Sequence, residues 1–261
     1  MINQIHTGDC LELMKQIEDN SIDLVLTDPP YGINKEGIEN DHSLEAYYDS
    51  LPEIFRVLKD GSFFVTFASI GRLPEFFNNN PFDYRWMFIQ YINNGMVRGS
   101  IGFNRFICVL IFQKGEAKIT KPMQDVYEMS TSSQECAKRE HPTQKDVNVV
   151  RRLIETFSKP EDLVLDPFAG SGTTLVASKQ SGRRYIGIEL NQSYVDVCIK
   201  RLNQKSVSDF WSNDTHNRNL KENSDEFSQI SADAETSLNS DIIRNLGFPS
   251  QSLKWNSVTT P

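Results

Sequence analysis

The chain has 261 residues, a formal net charge of −8 and 38% apolar residues; that is enough for one large domain or two small ones, and the lean apolar share points to a polar extension. No run approaches ~18 uninterrupted apolar residues, and the start MINQIHTGDC lacks the basic-then-apolar pattern of a leader, so a cytoplasmic protein without a membrane span is expected. Cys10, Cys108, Cys136 and Cys198 are widely spread with no CxxC pair, and the four histidines are scattered, which excludes a disulfide framework and offers no metal constellation.

In chain order, residues 11–18 read as a helix and SIDLVLT (21–27) as an apolar strand. The polar stretch 32–42 is a loop. A helix runs from Ser43 to about Lys59, interrupted by Pro52 and closed by Gly61, and SFFVTFA (62–68) is the next strand. Residues 71–79 form a short helix or turn. RWMFIQYI (85–92) and RFICVLIFQ (105–113) are two further strands joined by the Gly-rich loop NNGMVRGSIGFN. Residues 114–142 are polar and irregular. A helix over 145–157 places Val147, Val150, Leu153, Ile154 and Phe157 on one face. LVLD (163–166) is a buried strand, PFAGSG a small-residue loop, 173–179 a helix, RYIGIE (184–189) a strand, and 191–203 a helix with Val195, Cys198, Ile199 and Leu202 inward. Strands alternating with helices predict an α/β fold, a doubly wound, mostly parallel sheet. From residue 206 the chain is rich in Ser, Asn, Asp and Glu, which reads as a disordered or loosely docked tail.

Charge is unevenly distributed. Residues 1–83 carry a net charge of −10, 84–159 carry +5, 160–205 carry +1 and 206–261 carry −4. A basic middle in an acidic chain accompanies a surface that faces a polyanion.

DPFAGSGTT (166–174) follows a strand and opens a helix. Its small residues let the backbone approach a ligand, and the helix start offers free N–H groups. The next strand ends in Glu189, about 20 residues on, where an acidic side chain can accept from ribose hydroxyls. The loop has no Lys or Arg and no phosphate-hydrolysing GxxxxGK[ST] pattern. An adenosine cofactor without phosphates suits it, and the cationic S-adenosylmethionine (AdoMet) fits, with Asp166 holding its ammonium group.

LTDPPY (26–31), EHPTQK (140–145), LDPFAGSGTT (165–174) and GIEL (187–190), in that order, resemble the AdoMet-dependent DNA amino-methyltransferases of the permuted β class. Members methylate adenine-N6 or cytosine-N4. The resemblance covers residues 3–204 and implies a Rossmann-like methyltransferase domain over 1–205, with a short target-recognition region at 93–139 and the 206–261 tail outside it. It implies that Asp166, Phe168, Ala169 and Gly170 line the AdoMet pocket, with Gly172 and Thr173 at the helix start and Glu189 on the ribose. TGDC (7–10) matches the segment where Asp9, beside Cys10, accepts from the AdoMet adenine amine; a simple helix cap is the alternative for Asp9. HPTQK matches the stretch gripping the methionine end, where Lys145 or Thr143 meets its carboxylate. The family usually has Pro where this chain has Asp146.

The catalytic set implied is Asp28, Pro29, Pro30 and Tyr31. An exocyclic amine is a poor nucleophile because its lone pair is delocalised into the ring. Asp28 and the Pro29 carbonyl would accept from both amine hydrogens, and proline offers acceptors without a competing N–H. Two prolines fix the geometry for in-line transfer, and Tyr31 offers a face for stacking an extruded base. No metal is required. Asp at the first motif position favours adenine over cytosine, whose N4 enzymes more often carry Ser there. Arg98, Arg105, Lys114, Lys118, Lys121, Lys138 and Arg139 are candidate contacts to double-stranded DNA. A homodimer is plausible by resemblance. Cytosine-N4 methylation, a catalytically silent AdoMet- and DNA-binding subunit, and an RNA methyltransferase are the alternatives.

Overall fold

The apolar strand runs occupy the middle of one sheet because both of its faces are covered, and both alternating sets of side chains must then be apolar. The computed structural model describes residues 1–33, 41–94, 97–99 (main chain only), 102–129 and 145–204. Along the chain these form β1 (Gln4–Thr7), α1 (Cys10–Met14), β2 (Ile22–Thr27), α2 (Glu45–Val57), β3 (Leu58–Ala68) and a 3₁₀ helix (Ile70–Phe77). There follow β4 (Asp83–Ile92), β5 (Val97–Gly99), β6 (Gly102–Asn104), β7 (Phe106–Lys114) and β8 (Val126–Met129). The order ends with α3 (Val147–Phe157), β9 (Leu163–Asp166), α4 (Thr173–Gln180), β10 (Arg184–Glu189) and α5 (Gln192–Leu202).

Eight strands pair in the order β1-β10-β9-β2-β3-β7-β4-β8. Only β7 runs antiparallel to its neighbours, so the expected doubly wound, mostly parallel α/β sheet is the observed one. Val25, Leu165, Phe64 and Leu110 point to the face covered by α1, α2 and the 3₁₀ helix. Leu24, Leu26, Val164, Phe63, Val65 and Ile111 point to the opposite face, where Leu153 and Ile154 of α3 meet them. A third cluster joins Leu175 of α4, Cys198 and Leu202 of α5, and Tyr185 of β10.

Several expectations are corrected. β1 and β8 were not anticipated: QIHT and VYEM are four residues each, and backbone pairing with β10 and β4 makes them strands rather than any apolar run. The Gly-rich stretch after β4 contains the β5–β6 hairpin. Gly61 does not end α2; it lies within β3 at φ +77, where the register with β2 shifts. Helix α1 stops at Met14. Ile199 is 44% exposed, on the outer face of α5. Asp146, where the family usually has Pro, caps α3 by accepting from the N–H groups of Asn148 and Val149.

The largest correction concerns Lys114, expected at a nucleic-acid surface. Because β7 is antiparallel to β3, Lys114 lies opposite Ser62, at the end of the sheet where the parallel strands begin. It is 8% exposed. Its Nζ donates to Asn20 Oδ1 (2.8 Å), Phe55 O (2.9 Å) and Leu58 O (2.7 Å), which uses all three hydrogens. The exposed Lys118 and Lys121 follow on that same side. The Thr120 N–H donates to Thr156 O and Lys121 lies 3.7 Å from Glu155, both near the end of α3. We expect Lys114→Met to cost about 2–4 kcal/mol in urea unfolding, because buried carbonyls lose their donor. The salt dependence of DNA binding should stay unchanged; a shallower slope would return Lys114 to the polyanion-facing set.

Candidate active site

Strands β2 and β9 are neighbours, yet their crossovers leave in opposite directions. β2 continues through α2 to β3 on one side, and β9 continues through α4 to β10 on the other. Such a reversal opens a crevice at the carboxyl ends of the strands. A cavity of about 810 Å³ lies there. Of the expected residues, Asp9, Cys10, Asp28, Pro29, Pro30, Tyr31, Lys145, Asp166, Phe168, Ala169, Gly170, Thr173 and Glu189 all line it. Thr143 lies outside the described residues.

The β9–α4 loop is built for close approach. Gly172, the residue before α4, has φ +77, and a Cβ there would sit 2.1 Å from Cys198 Sγ, so only glycine fits; expected on the cofactor, it packs against α5 and is not among the residues lining the cavity. Glu189 ties this loop to the end of β10: its Oε2 accepts from the loop's Gly170 N–H (2.8 Å), and its Oε1 accepts from the N–H of Asn191, two residues further on (2.8 Å). Asp166 is 3% exposed and accepts from Thr27 Oγ1 (2.6 Å) and the Phe168 N–H (3.1 Å). Burial pushes its carboxyl up to about 6, against the pull of those hydrogen bonds. Asp9 caps α1 by accepting from the Leu11 N–H (2.8 Å), so the helix-cap alternative holds, and the same side chain borders the cavity. Burial, with the charge of Asp9 adding to it, lifts the Cys10 thiol to about 12, so it remains a thiol.

At the end of β2 both carboxylate oxygens of Asp28 are engaged. Oδ1 accepts from the Tyr31 hydroxyl and Oδ2 from Lys145 Nζ. That Nζ also lies 4.9 Å from the ring centre of Phe67 and 5.6 Å from that of Tyr31. Lys145 was expected on a ligand carboxylate and is found on Asp28. Tyr31 was expected as an open stacking face. Its ring is partly buried, edge-on to Phe76 at 6.3 Å and packed against the cores on both faces of the sheet. Burial, reinforced by Asp28, holds its phenol well above its ordinary value, which keeps the hydroxyl a donor.

The turn is clamped from behind by residues no motif announced. Arg72 Nη1 donates to Gly32 O (2.8 Å), and Glu75 holds the same guanidinium. The Gly32 N–H donates to the buried Asp41 (2.7 Å). Gly32 has φ +69, and a Cβ there would lie 1.9 Å from Arg72 Nη1. Phe67, Gln90 and Phe106 also border the cavity. All three sit toward the ends of strands that open onto the crevice, the one sequence signal that would have found them.

Of the expected nucleic-acid contacts, Arg105 lies near the cavity mouth beside Phe106, with its guanidinium 5.1 Å from the Tyr91 ring centre. Arg98 sits in β5, paired in register with the exposed Phe103. Lys138 and Arg139 lie outside the described residues, and Lys114, Lys118 and Lys121 are at the other end of the sheet. Among the described residues no cluster of His, Cys, Asp and Glu could hold a metal, and no helix is long and apolar enough to cross a membrane.

The profile of the DNA methylase family matches residues 78–201. YubD of Escherichia coli (strain K12) is 37% identical over 204 residues, spanning 75% of this chain and 88% of that one. The DNA adenine methyltransferase YhdJ of the same organism is 28% identical over 245 residues, spanning 76% and 82%. The crystal structure of an M1.HpyAVI–SAM complex superposes with a TM-score of 0.60 at 28% identity, covering 76% of this chain and 99% of that one. A relative so similar over most of both lengths, joined to a cavity at the strand reversal, means that the chain belongs to the family of N6/N4 DNA amino-methyltransferases.

Proposed function

We propose that the protein transfers a methyl group from AdoMet to the N6 amine of adenine in double-stranded DNA, acting on a base turned out of the duplex. The observation that carries this reading is Asp28, with both oxygens oriented by Tyr31 and Lys145, bordering the same cavity as the Gly170–Glu189 loop. The DNA methyltransferase class belongs to the family. The choice of adenine is supported by Asp at the first motif position and by the relative YhdJ.

The residues fit AdoMet. Among the described residues eight carboxylates border the cavity, including Asp9, Asp28, Asp166 and Glu189, which favours a cationic ligand. Asp166 holds the ammonium group, Glu189 the ribose hydroxyls and Asp9 the adenine amine of the cofactor, while Gly172 keeps the loop close. When bound, AdoMet supplies an activated methyl group, so no covalent nucleophile is needed, in keeping with a protonated Cys10.

Asp28 accepts one hydrogen of the target amine through the lone-pair capacity that Tyr31 and Lys145 leave on its oxygens. The Pro29 carbonyl accepts the other. The amine's lone pair is thereby drawn out of the ring and aimed. Overall the nitrogen gains a methyl and sheds one proton, and Asp28 is the base within reach of that proton. Lys145 holds the carboxylate in place rather than reaching the cofactor. Arg105 and the β5–β6 hairpin at the mouth meet the duplex.

Incubation with AdoMet and unmodified duplex DNA, followed by digestion and mass spectrometry of the nucleosides, should yield N6-methyldeoxyadenosine. N4-methyldeoxycytidine would overturn the base assignment and keep the class; AdoMet binding without product would favour a silent subunit. Asp28→Ala should retain AdoMet binding and lose about 100- to 1,000-fold in turnover, the range for removing one preorganised polar contact to a transition state. Unchanged turnover would remove Asp28 from the mechanism.

A pH dependence follows from Asp166. The folded carboxyl ionises near pH 6 and the unfolded one near 3.8. Without ligand, stability therefore declines as pH rises between those values, because the folded state holds the proton longer. A cation binds the ionised form, so AdoMet affinity should fall about tenfold per unit as pH drops below 6. Calorimetric titration between pH 5 and 8 checks this. Asp166→Asn should give weaker, pH-flat binding, and a flat profile in the wild type would deny Asp166 the ammonium contact.

A further inference from the structure

Among the described residues, three buried side-chain polar atoms have no hydrogen-bond partner: Gln90 Oε1, Gln113 Oε1 and Arg152 Nε. Only Gln90 borders the cavity. It is 3% exposed and sits two residues before the end of β4, opposite Ile107 of β7. Its Nε2 donates to Met129 Sδ alone, and a thioether is a weak acceptor. A carboxamide can turn end for end. As placed, Oε1 is the end without a partner among the described residues; turned end for end, Nε2 takes that position and Oε1 abuts the sulfur. A buried polar group left so costs stability unless a ligand completes it.

The sheet order tells which ligand. The loop after β9 takes the cofactor in the reading above, on which this inference rests. Asp28 directly follows β2, the next strand, and β4 lies three strands further on the side away from β9. At about 4.8 Å per strand the β2 and β4 backbones are roughly 14 Å apart, a span for an Asp side chain, a purine ring and a Gln side chain in series. Gln90 therefore stands on the substrate side of Asp28. The chemistry agrees. With the amine held by Asp28 and the Pro29 carbonyl, the adenine atoms flanking it, N1 and N7, are both acceptors. Asp28 and the prolines offer no donor, and Lys145 is engaged by Asp28. A side-chain amide supplies the missing N–H.

We propose that Gln90 binds the extruded base, donating from its amide to a ring nitrogen beside the target amine. It acts as a base-holding and base-selecting residue. It restrains the ring so that the amine meets Asp28, and it favours a ring edge that accepts over one that donates.

The test uses Gln90→Leu, close in shape and apolar, and Gln90→Glu, close in shape and acceptor-only when ionised. With unmodified duplex DNA, Q90L should lose roughly 10- to 100-fold in kcat/KM for DNA, the range for one specific base contact, and Q90E should lose more. In Q90L the melting temperature should equal or exceed that of wild type, because an unpaired buried polar group is removed, and AdoMet affinity should match it. Full turnover in Q90L, or loss of melting temperature and AdoMet binding alongside turnover, overturns the proposal in favour of a core-filling role. A readout without turnover is saturation-transfer NMR with 2′-deoxyadenosine and its 1-deaza and 7-deaza analogues. Wild type should bind one analogue more weakly than the parent, and Q90L should treat all three alike. Equal binding of the three by wild type also overturns it. A wild type that methylates no DNA sinks the methyltransferase reading instead, while the nucleoside comparison still judges Gln90.

Discussion

The site depends on one short hydrogen bond between two neighbouring strands. Thr27 Oγ1 donates to Asp166 Oδ1 at 2.6 Å, both residues being fully or almost fully buried. Thr27 is the last residue of β2 and Asp166 the last of β9. The bond ties the two loops that diverge there, one carrying Asp28 and the other Gly170 and Gly172. The backbone ladder between the two strands pairs Leu24 with Val164 and Val25 with Leu165, and the side-chain bond extends that tie to the strand ends. The reversal creates the crevice and the bond holds its two walls in register. A threonine serves here because its methyl tolerates the core while its hydroxyl satisfies a buried carboxylate.

The catalytic turn shows how stiffness is distributed. Two prolines fix the backbone dihedrals that proline can fix, but they cannot orient the Asp28 side chain or stop the following chain from swinging. Those tasks fall to Tyr31 and Lys145 in front, and to Arg72 and Asp41 behind. Each clamp spends a charged or polar group in a largely buried place, a cost justified where positioning decides rate. Lys145 is the clearest case. Its side chain is 12% exposed, and its ammonium rests near two aromatic rings and faces a carboxylate, so the pair is screened little by solvent.

Much of this was legible in the sequence, and the failures have one cause. The runs that became β2, β3, β4, β7, β9 and β10 announced themselves by apolar content. So did the motif residues, because chemistry dictates their type and spacing: Asp28 before two prolines, Glu189 a fixed distance from a glycine loop. The β1 and β8 strands did not, since four mixed residues carry no period and are strands only through a neighbour's backbone. Lys114 was misassigned because a charge pattern cannot reveal strand direction: a lysine on an antiparallel strand lands at the opposite end from one on a parallel strand. Arg72 and Asp41 were invisible because their meaning is wholly tertiary, and for Gln90 only its place near a strand end spoke.

Electrostatics unify the two halves of the cavity. The acidic first third of the chain, net −10, supplies Asp9 and Asp28, and the β9 and β10 ends supply Asp166 and Glu189. The region rich in Lys and Arg supplies Lys145 within the cavity and Arg105 at its mouth. Carboxylates thus gather around the cavity at the strand ends, where a cation is held and an amine polarised in the proposed reaction. Lys145 supplies the counter-charge to Asp28, and Arg105 stands where the duplex approaches in the proposed reaction. A uniformly acidic cavity would repel the duplex that must deliver the base, and a uniformly basic one would repel the methyl donor. The strand end bearing Asp28 and the segment bearing Lys145 come from distant stretches of the sequence and meet at the crevice in an ion pair.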